Sequence, residues 1–313
     1  MTALPPRSPP RLDRVVVALD LSEPSLAAAQ WVARHFARGA ELVLVHVIHV
    51  PAAPRFLEGR YPPTERLVET ARAGAELRLR ELGSSIATGL IWTEVRVGVP
   101  DEEIVRVAEE YKADLIVVGH PAPRAGIWGR LGTTAQRVLR RSTVPVLLAA
   151  GMPPEAPARL LVAVDDSPMT GPVLDWAGLL VQRFAADAAV AHVLSMELFT
   201  GSIAAPWPEP DAERRTPIER EPLVRDTARW LAEQVQGAPG SERMTPVVIA
   251  DFCRPAECLV AEAARRASQL IVIGSRGAGA ARRFLLGSVA EAVLRDSPCP
   301  TLVVAAPEDA RGG

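Results

Sequence analysis

Two rhythms of apolar and polar positions alternate along the chain. Short unbroken apolar runs, such as Val15-Val-Val-Ala-Leu19, Leu160-Leu-Val-Ala-Val164 and Leu270-Ile-Val-Ile273, have the length and β-branching of strands buried on both faces. Between them lie stretches with one apolar stripe at helical spacing. Leu67, Ala71, Ala75, Leu79 and Leu82 form one such stripe, and Val224, Ala228, Leu231 and Val235 another. The pattern predicts strands over 14–19, 41–48, 91–97, 114–119 and 144–149 in the first half. Helices are predicted between them, over 23–38, 65–83, 101–112 and 133–141. In the second half it predicts strands over 159–164, 187–194, 245–251, 269–274 and 300–305, with helices over 222–236 and from Val289 to Leu294. Alternating strands and helices with right-handed crossovers imply an α/β fold: two tandem five-stranded, mostly parallel open sheets with helices on both faces. Ligands of such sheets sit beyond the carboxyl ends of the strands, where the strand order reverses. Asp165, His192 and Gly274 all fall at predicted carboxyl ends.

The domain count follows from an internal repeat. Val15-Val-Val-Ala-Leu-Asp20 matches Leu160-Leu-Val-Ala-Val-Asp165, and Ser22 and Trp31 match Ser167 and Trp176, all at an offset of 145. Further along the offset settles at 155: Pro100 with Pro255, Gly119 with Gly274, Gly132 with Gly287, Thr133 with Ser288, and Pro145 with Pro300. A period this long makes each copy a whole domain and not a solenoid unit. The boundaries read as a proline-rich, disordered arm over 1–12, a first domain over 13–150, a linker over 151–157, a second domain over 158–306 and a tail over 307–313.

Bulk properties narrow the classes. The 313 residues are 48% apolar with a formal net charge of −2, which suits two ordinary domains and gives no reason to expect nucleic acid. No apolar run approaches bilayer length and the N-terminus lacks a secretory h-region, so a membrane location is not expected and a cytoplasmic one is. The three cysteines, Cys253, Cys258 and Cys299, read as reduced thiols and not as a disulfide framework.

The sequence chemistry concentrates at Gly274-Ser-Arg-Gly277, nine residues, then Gly287-Ser288. This strand, glycine-rich loop and helix start is suited to phosphate: glycine lets backbone approach a ligand, and a helix N-terminus offers unpaired N–H groups with partial positive charge. Arg276, Arg282 and Arg283 lie in or near the loop and would add charge, unless they form an ordinary solvated face. Nothing catalytic stands out. There is no Walker-type Gly-x-x-x-x-Gly-Lys-[Ser/Thr], no Gly-x-Ser-x-Gly and no Cys/His pair at useful spacing.

Together, the strand-end Asp165-Asp-Ser167, the strand-end Ala-His-Val, the G-x2-G-x9-G-[S/T] signature and the closing Pro-Cys-Pro-Thr-Leu-Val-Val resemble the universal stress protein family in a tandem form. The resemblance covers about 13–150 and 158–306. It implies an adenine-nucleotide-binding fold and an internal pseudo-twofold pairing of the last strands, Val144–Ala149 against Thr301–Ala305. A homodimer of the whole chain is compatible with it. It implies a stress-response sensor or regulator that holds ATP, with or without Mg²⁺, and is not an enzyme in the first instance. ADP, AMP and cyclic AMP are compatible ligands. A slow ATPase and a nucleotide-free interaction protein are the alternatives. By resemblance Asp165 serves the adenine or ribose, Ala163, Val193 and Ile273 wall the base, and Gly274, Gly277, Gly287, Ser288 and the Val289 amide wrap the phosphates.

The first copy departs from the signature. Asp20, Val47, Gly119, Gly132 and Thr133 remain as a weaker nucleotide set. The second glycine, however, is Ala122 between Pro121 and Pro123, which removes two N–H donors and disfavours positive φ. Nucleotide is therefore expected mainly in the second domain. His46, His49 and His120 fall near neighbouring strand ends and His35 lies upstream. A metal is not expected there, because His46 has a counterpart in His192 and belongs to the fold pattern. The long proline-rich segments 50–65 and 196–222, the second carrying Trp207, leave the ligand edge and are candidate lids, with ordinary loops as the alternative.

Overall fold

The computed structural model describes residues 9–50, 64–86, 89–119, 132–150, 152–195, 220–251, 253–277 and 286–305. Trp207, His120, Ala122 with its flanking prolines, Arg282, Arg283, most of both candidate lids and the tail lie outside the described residues.

The first half runs β1 (Arg14–Leu19), α1 (Glu23–His35), β2 (Glu41–Ile48), α2 (Thr64–Ser85), β3 (Ile91–Val97), α3 (Pro100–Glu110), β4 (Leu115–Gly119), α4 (Thr133–Arg141) and β5 (Val146–Ala149). The second repeats it as β6 (Arg159–Ala163), α5 (Thr170–Phe184), β7 (Asp187–Ser195), α6 (Arg220–Gln236), β8 (Met244–Asp251), α7 (Pro255–Arg265), β9 (Leu270–Gly274), α8 (Ser288–Asp296) and β10 (Thr301–Val304). Every strand read from the apolar runs is present, as is every helix read between them. Pro100 and Pro255 occupy the first helical position of α3 and α7, where a missing N–H costs nothing and the fixed φ is already helical.

The two five-stranded halves fuse into one ten-stranded sheet with order β3-β2-β1-β4-β5-β10-β9-β6-β7-β8. All described pairings are parallel except β5 with β10, which meet antiparallel with Leu147 opposite Leu302. This is the pairing of last strands expected from the resemblance. Its physical cause is plain: both strands are buried and, but for Thr301, apolar, and would otherwise each present an unpaired edge. In each half the order reverses between the first and fourth strands, β1/β4 and β6/β9, which places a crevice at their carboxyl ends.

Strand residues alternate between two apolar layers. Val15, Val17 and Leu19 face one layer with α1, α2, α5 and α6, and Val16 and Ala18 face the other with α3, α4, α7 and α8. Leu12, placed by the sequence in the N-terminal arm, is buried in the first layer. The backbone N–H of Asp13, the first residue of the domain as read from sequence, donates to Asp114 Oδ2 at 2.7 Å.

Candidate functional site

At the β6/β9 reversal a cavity of about 470 Å³ opens among the ends of β6, β7 and β9 and the starts of α5, α7 and α8. All nine residues singled out in the second domain lie on its wall: Ala163, Asp165, Val193, Ile273, Gly274, Gly277, Gly287, Ser288 and Val289.

Each is placed by local chemistry. Asp165 leaves β6 and opens a tight turn in which Ser167 Oγ donates to Asp165 Oδ1 at 2.5 Å and Ser167 N–H donates to the Asp165 carbonyl at 2.9 Å. Met169 N–H donates to Ser167 Oγ at 3.2 Å, and the Thr170 hydroxyl donates to the Asp165 carbonyl. The carboxylate is thus held at the cavity mouth from its own side. His192 Nδ1 lies 3.0 Å from the Val164 carbonyl; a carbonyl only accepts, so the proton sits on Nδ1. The imidazole in turn meets Trp230 of α6 edge to face, with ring centroids 5.1 Å apart.

The glycine loop closes on this turn. A Cβ built on Gly277 would fall 2.5 Å from Asp165 Oδ2, and one on Gly274 would meet Arg276 O and Met169 Cβ at 3.2 Å. Gly287 N–H donates to Ser275 O at 2.8 Å, and Ser275 N–H donates to Val304 O at 2.9 Å, which ties both ends of the loop to the sheet. Gly287 is the N-cap of α8 and offers no side-chain cap, so the first N–H groups of the helix have no side-chain cap partner. Ser288, Val289 and Ala290 of that first turn line the wall. Among the described lining residues the charged or titratable groups are Asp165, His192 and Arg276.

The wall also includes residues the sequence did not single out for this role. Val164, Met169, Thr170 and Val173 come from the β6–α5 region, Leu286 and Ala290 flank the start of α8, and Pro255 and Leu259 come from α7. Only Pro255 carried a sequence signal, its match to Pro100.

The first domain reproduces the turn. Ser22 Oγ and N–H donate to Asp20 Oδ1 at 2.5 and 2.9 Å, and His46 Nδ1 lies 2.8 Å from the Leu19 carbonyl. Burial works to raise the Asp20 pKa, but the Ser22, Ser25 and backbone hydrogen bonds prevail and hold it below the usual carboxylate value. Val47 packs on the core, Gly119 ends β4, Gly132 caps α4 and Thr133 begins it. The intervening loop 120–131 lies outside the described residues. His49 Nδ1 sits 3.2 Å from Gly98 O and His35 stacks obliquely on Trp31. Among the described residues no three His, Cys, Asp or Glu side chains group as a metal site, and no helix is long and apolar enough to cross a membrane.

One sequence reading is corrected. Cys253 and Cys258 are joined by a disulfide across the start of α7, with Cα atoms 5.8 Å apart. The link is local, between positions that the helix start itself brings together, so counting cysteines for a long-range framework could not find it. Cys299 remains a buried thiol whose pKa burial pushes up to about 12.

Comparison with known proteins matches this arrangement over nearly the whole chain. The model of the universal stress protein family matches twice, over residues 11–150 and 158–305. A universal stress protein of Mycobacterium tuberculosis is 27% identical over 300 residues, covering 92% of this chain and 96% of its own. One of Mycolicibacterium smegmatis is 29% identical over 306 residues, covering 93% and 96%. Among solved structures, a universal stress protein from Archaeoglobus fulgidus superposes with a TM-score of 0.66 at 20% identity, covering 94% of this chain and 99% of that one, and so shares the fold.

Proposed function

We propose that this chain, which belongs to the universal stress protein family, is a stress-response regulator that binds an adenine nucleotide, ATP in the first place, in the cavity of its second domain. The observation that carries this reading is the seating of Gly277 against the Asp165 carboxylate, where a side chain does not fit. It pulls a glycine loop and the start of α8 around one side of a cavity whose other side is apolar. A volume of about 470 Å³ is within the range of small-molecule and cofactor sites.

The chemistry is divided along the cavity. Ala163, Val193 and Ile273 offer an apolar slot for a planar base. Asp165 Oδ2 accepts from a ribose hydroxyl or an exocyclic amine. Gly274 and Gly287 let the backbone come close to phosphate, and Gly277, the Ser288 hydroxyl and the Val289 amide present donors to its oxygens, with the α8 N-terminus and Arg276 adding positive potential. Mg²⁺ would be held chiefly by the phosphates themselves, since Asp165 is the one carboxylate among the described lining residues. With that carboxylate turned toward Ser167 and no second acid among the described lining residues, the site supports binding and exchange better than rapid hydrolysis.

The first domain retains the Asp20 turn but has Ala122 where the second has Gly277. The same loop closure would drive its Cβ into the Asp20 carboxylate, so the second domain is the principal site. Mass spectrometry of small molecules released from gently purified protein, followed by calorimetric titration, tests the reading. We expect one adenine nucleotide per chain and hydrolysis slower than ligand exchange. Protein free of nucleotide that also takes up none at millimolar ATP would refute it.

A further inference from the structure

The Cys253–Cys258 pair sits at a position that the fold makes close-packed twice. Arg254 is the N-cap of α7 and Pro255 its first residue, so Cys253 is the residue before the cap and Cys258 the fourth of the helix. Residues at these two places meet across a helix start, usually as an apolar staple. The first domain shows the same geometry without sulfur. Val99 caps α3, and a Cβ built on Gly98 would lie 3.0 Å from Glu103 Cγ. The hydrogen bonds that set the turn are also the same, Glu103 N–H to Val99 O and Cys258 N–H to Arg254 O, both at 3.0 Å. The Cα separation of 5.8 Å in the second domain lies in the usual disulfide range. Cys253 is partly exposed, Cys258 is buried, and Pro255 and Leu259 of the same helical turn form part of the cavity wall.

We propose that Cys253 and Cys258 are a reversible thiol–disulfide pair that, when oxidised, fixes the first turn of α7 against the cavity and strengthens ligand binding there. The coupling to ligand rests on the nucleotide reading above; the disulfide itself does not. The oxidant class is a hydroperoxide. The partly exposed Cys253 thiolate attacks one peroxide oxygen and becomes a sulfenic acid, the other oxygen leaving as water once protonated. The Cys258 thiolate then attacks the Cys253 sulfur and expels hydroxide, which takes up a proton as the second water. Two thiols lose two electrons, one hydrogen peroxide is reduced to two waters, and a dithiol restores both thiols by exchange. Because Gly98 and Glu103 replace the cysteines in the first domain, the device acts on the second domain alone.

The test uses the full chain, reduced with a dithiol or oxidised with stoichiometric hydrogen peroxide, beside Cys253→Ser and Cys258→Ser. Alkylation after denaturation should count three thiols in the reduced protein and one, Cys299, in the oxidised protein, with peptide mapping joining Cys253 to Cys258. Amide exchange in the first turn of α7 should slow about tenfold on oxidation, and ATP should bind about fivefold more tightly to the oxidised form, a preorganisation gain absent from both variants. Three thiols after peroxide, a link between chains, or unchanged exchange would overturn the disulfide device. A disulfide that forms while ATP affinity stays equal would overturn its coupling to the site. Absence of ATP binding in both states would instead sink the nucleotide reading, with thiol counts and exchange still deciding the disulfide.

Discussion

Gly277 is where side-chain volume and ligand chemistry meet. Asp165 cannot easily retreat from a new Cβ, because Ser167 holds one carboxylate oxygen and Thr170 and Ser167 hold its carbonyl. Gly277→Ala must therefore push the loop outward and separate the phosphate donors from the base slot. We expect ATP affinity to fall about tenfold or more, roughly 1.4 kcal/mol, with little change in melting temperature, because Gly277 itself is only partly buried. Gly287→Ala, also on the cavity wall, should lower affinity less, since its Cβ would meet Ser275 O at an ordinary 3.4 Å. Calorimetry on both variants checks this, and equal affinities for Gly277→Ala and the parent protein would remove Gly277 from the site.

At the scale of elements, the two domains solve the packing of corresponding helices differently. Asp101 in the first turn of α3 is almost fully buried and lies 2.8 Å from Arg141 Nε of α4, while Arg137 stands 3.7 Å away. The contact at 2.8 Å is not aligned as a hydrogen bond. In the second domain the corresponding positions are Ala256 and Asp296. Removing the half-exposed Arg141 leaves the buried carboxylate only the more distant Arg137, whereas removing the carboxylate leaves an arginine that water can reach. Arg141→Ala should therefore cost about 2 kcal/mol and Asp101→Ala clearly less; chemical denaturation midpoints that rank the two in the opposite order would contradict this. The same elements show what the sequence carried. Strands buried on both faces announce themselves as unbroken apolar runs, so all ten were legible, and glycine spacing pointed to the loop that lines the cavity. Met169, Val173 and Leu259 were not legible as wall residues, because an apolar residue on an amphipathic helix or at its cap reads the same whether it faces core or cavity. The cysteine link escaped for a related reason: it depends on which residue becomes the N-cap of α7, and helix starts are poorly fixed by periodicity.

At the scale of the molecule, the tandem chain turns two edges into one interior. β5 and β10 are short, apolar and buried, and their antiparallel pairing makes a single sheet from two domains, backed by Arg140 of α4 lying 3.7 Å from Glu291 of α8. Leu147 and Leu302, directly opposed, are fully buried and belong to one apolar layer that spans both halves. Cutting the chain in the linker should leave each half with an unpaired apolar edge whose best available cover is another last strand. Fragments 9–150 and 152–305, produced together, should copurify as a one-to-one pair. The 152–305 fragment produced alone should self-associate, its β10 taking the place of the missing β5. Light scattering during size-exclusion chromatography reads both outcomes. Monomeric fragments that ignore each other would mean that the linker, and not the strand edge, holds the halves together. Association would show that the continuous sheet is self-sufficient and that the cavity of the second domain is built on an interior strand, β9, braced on one side by the partner domain through β10.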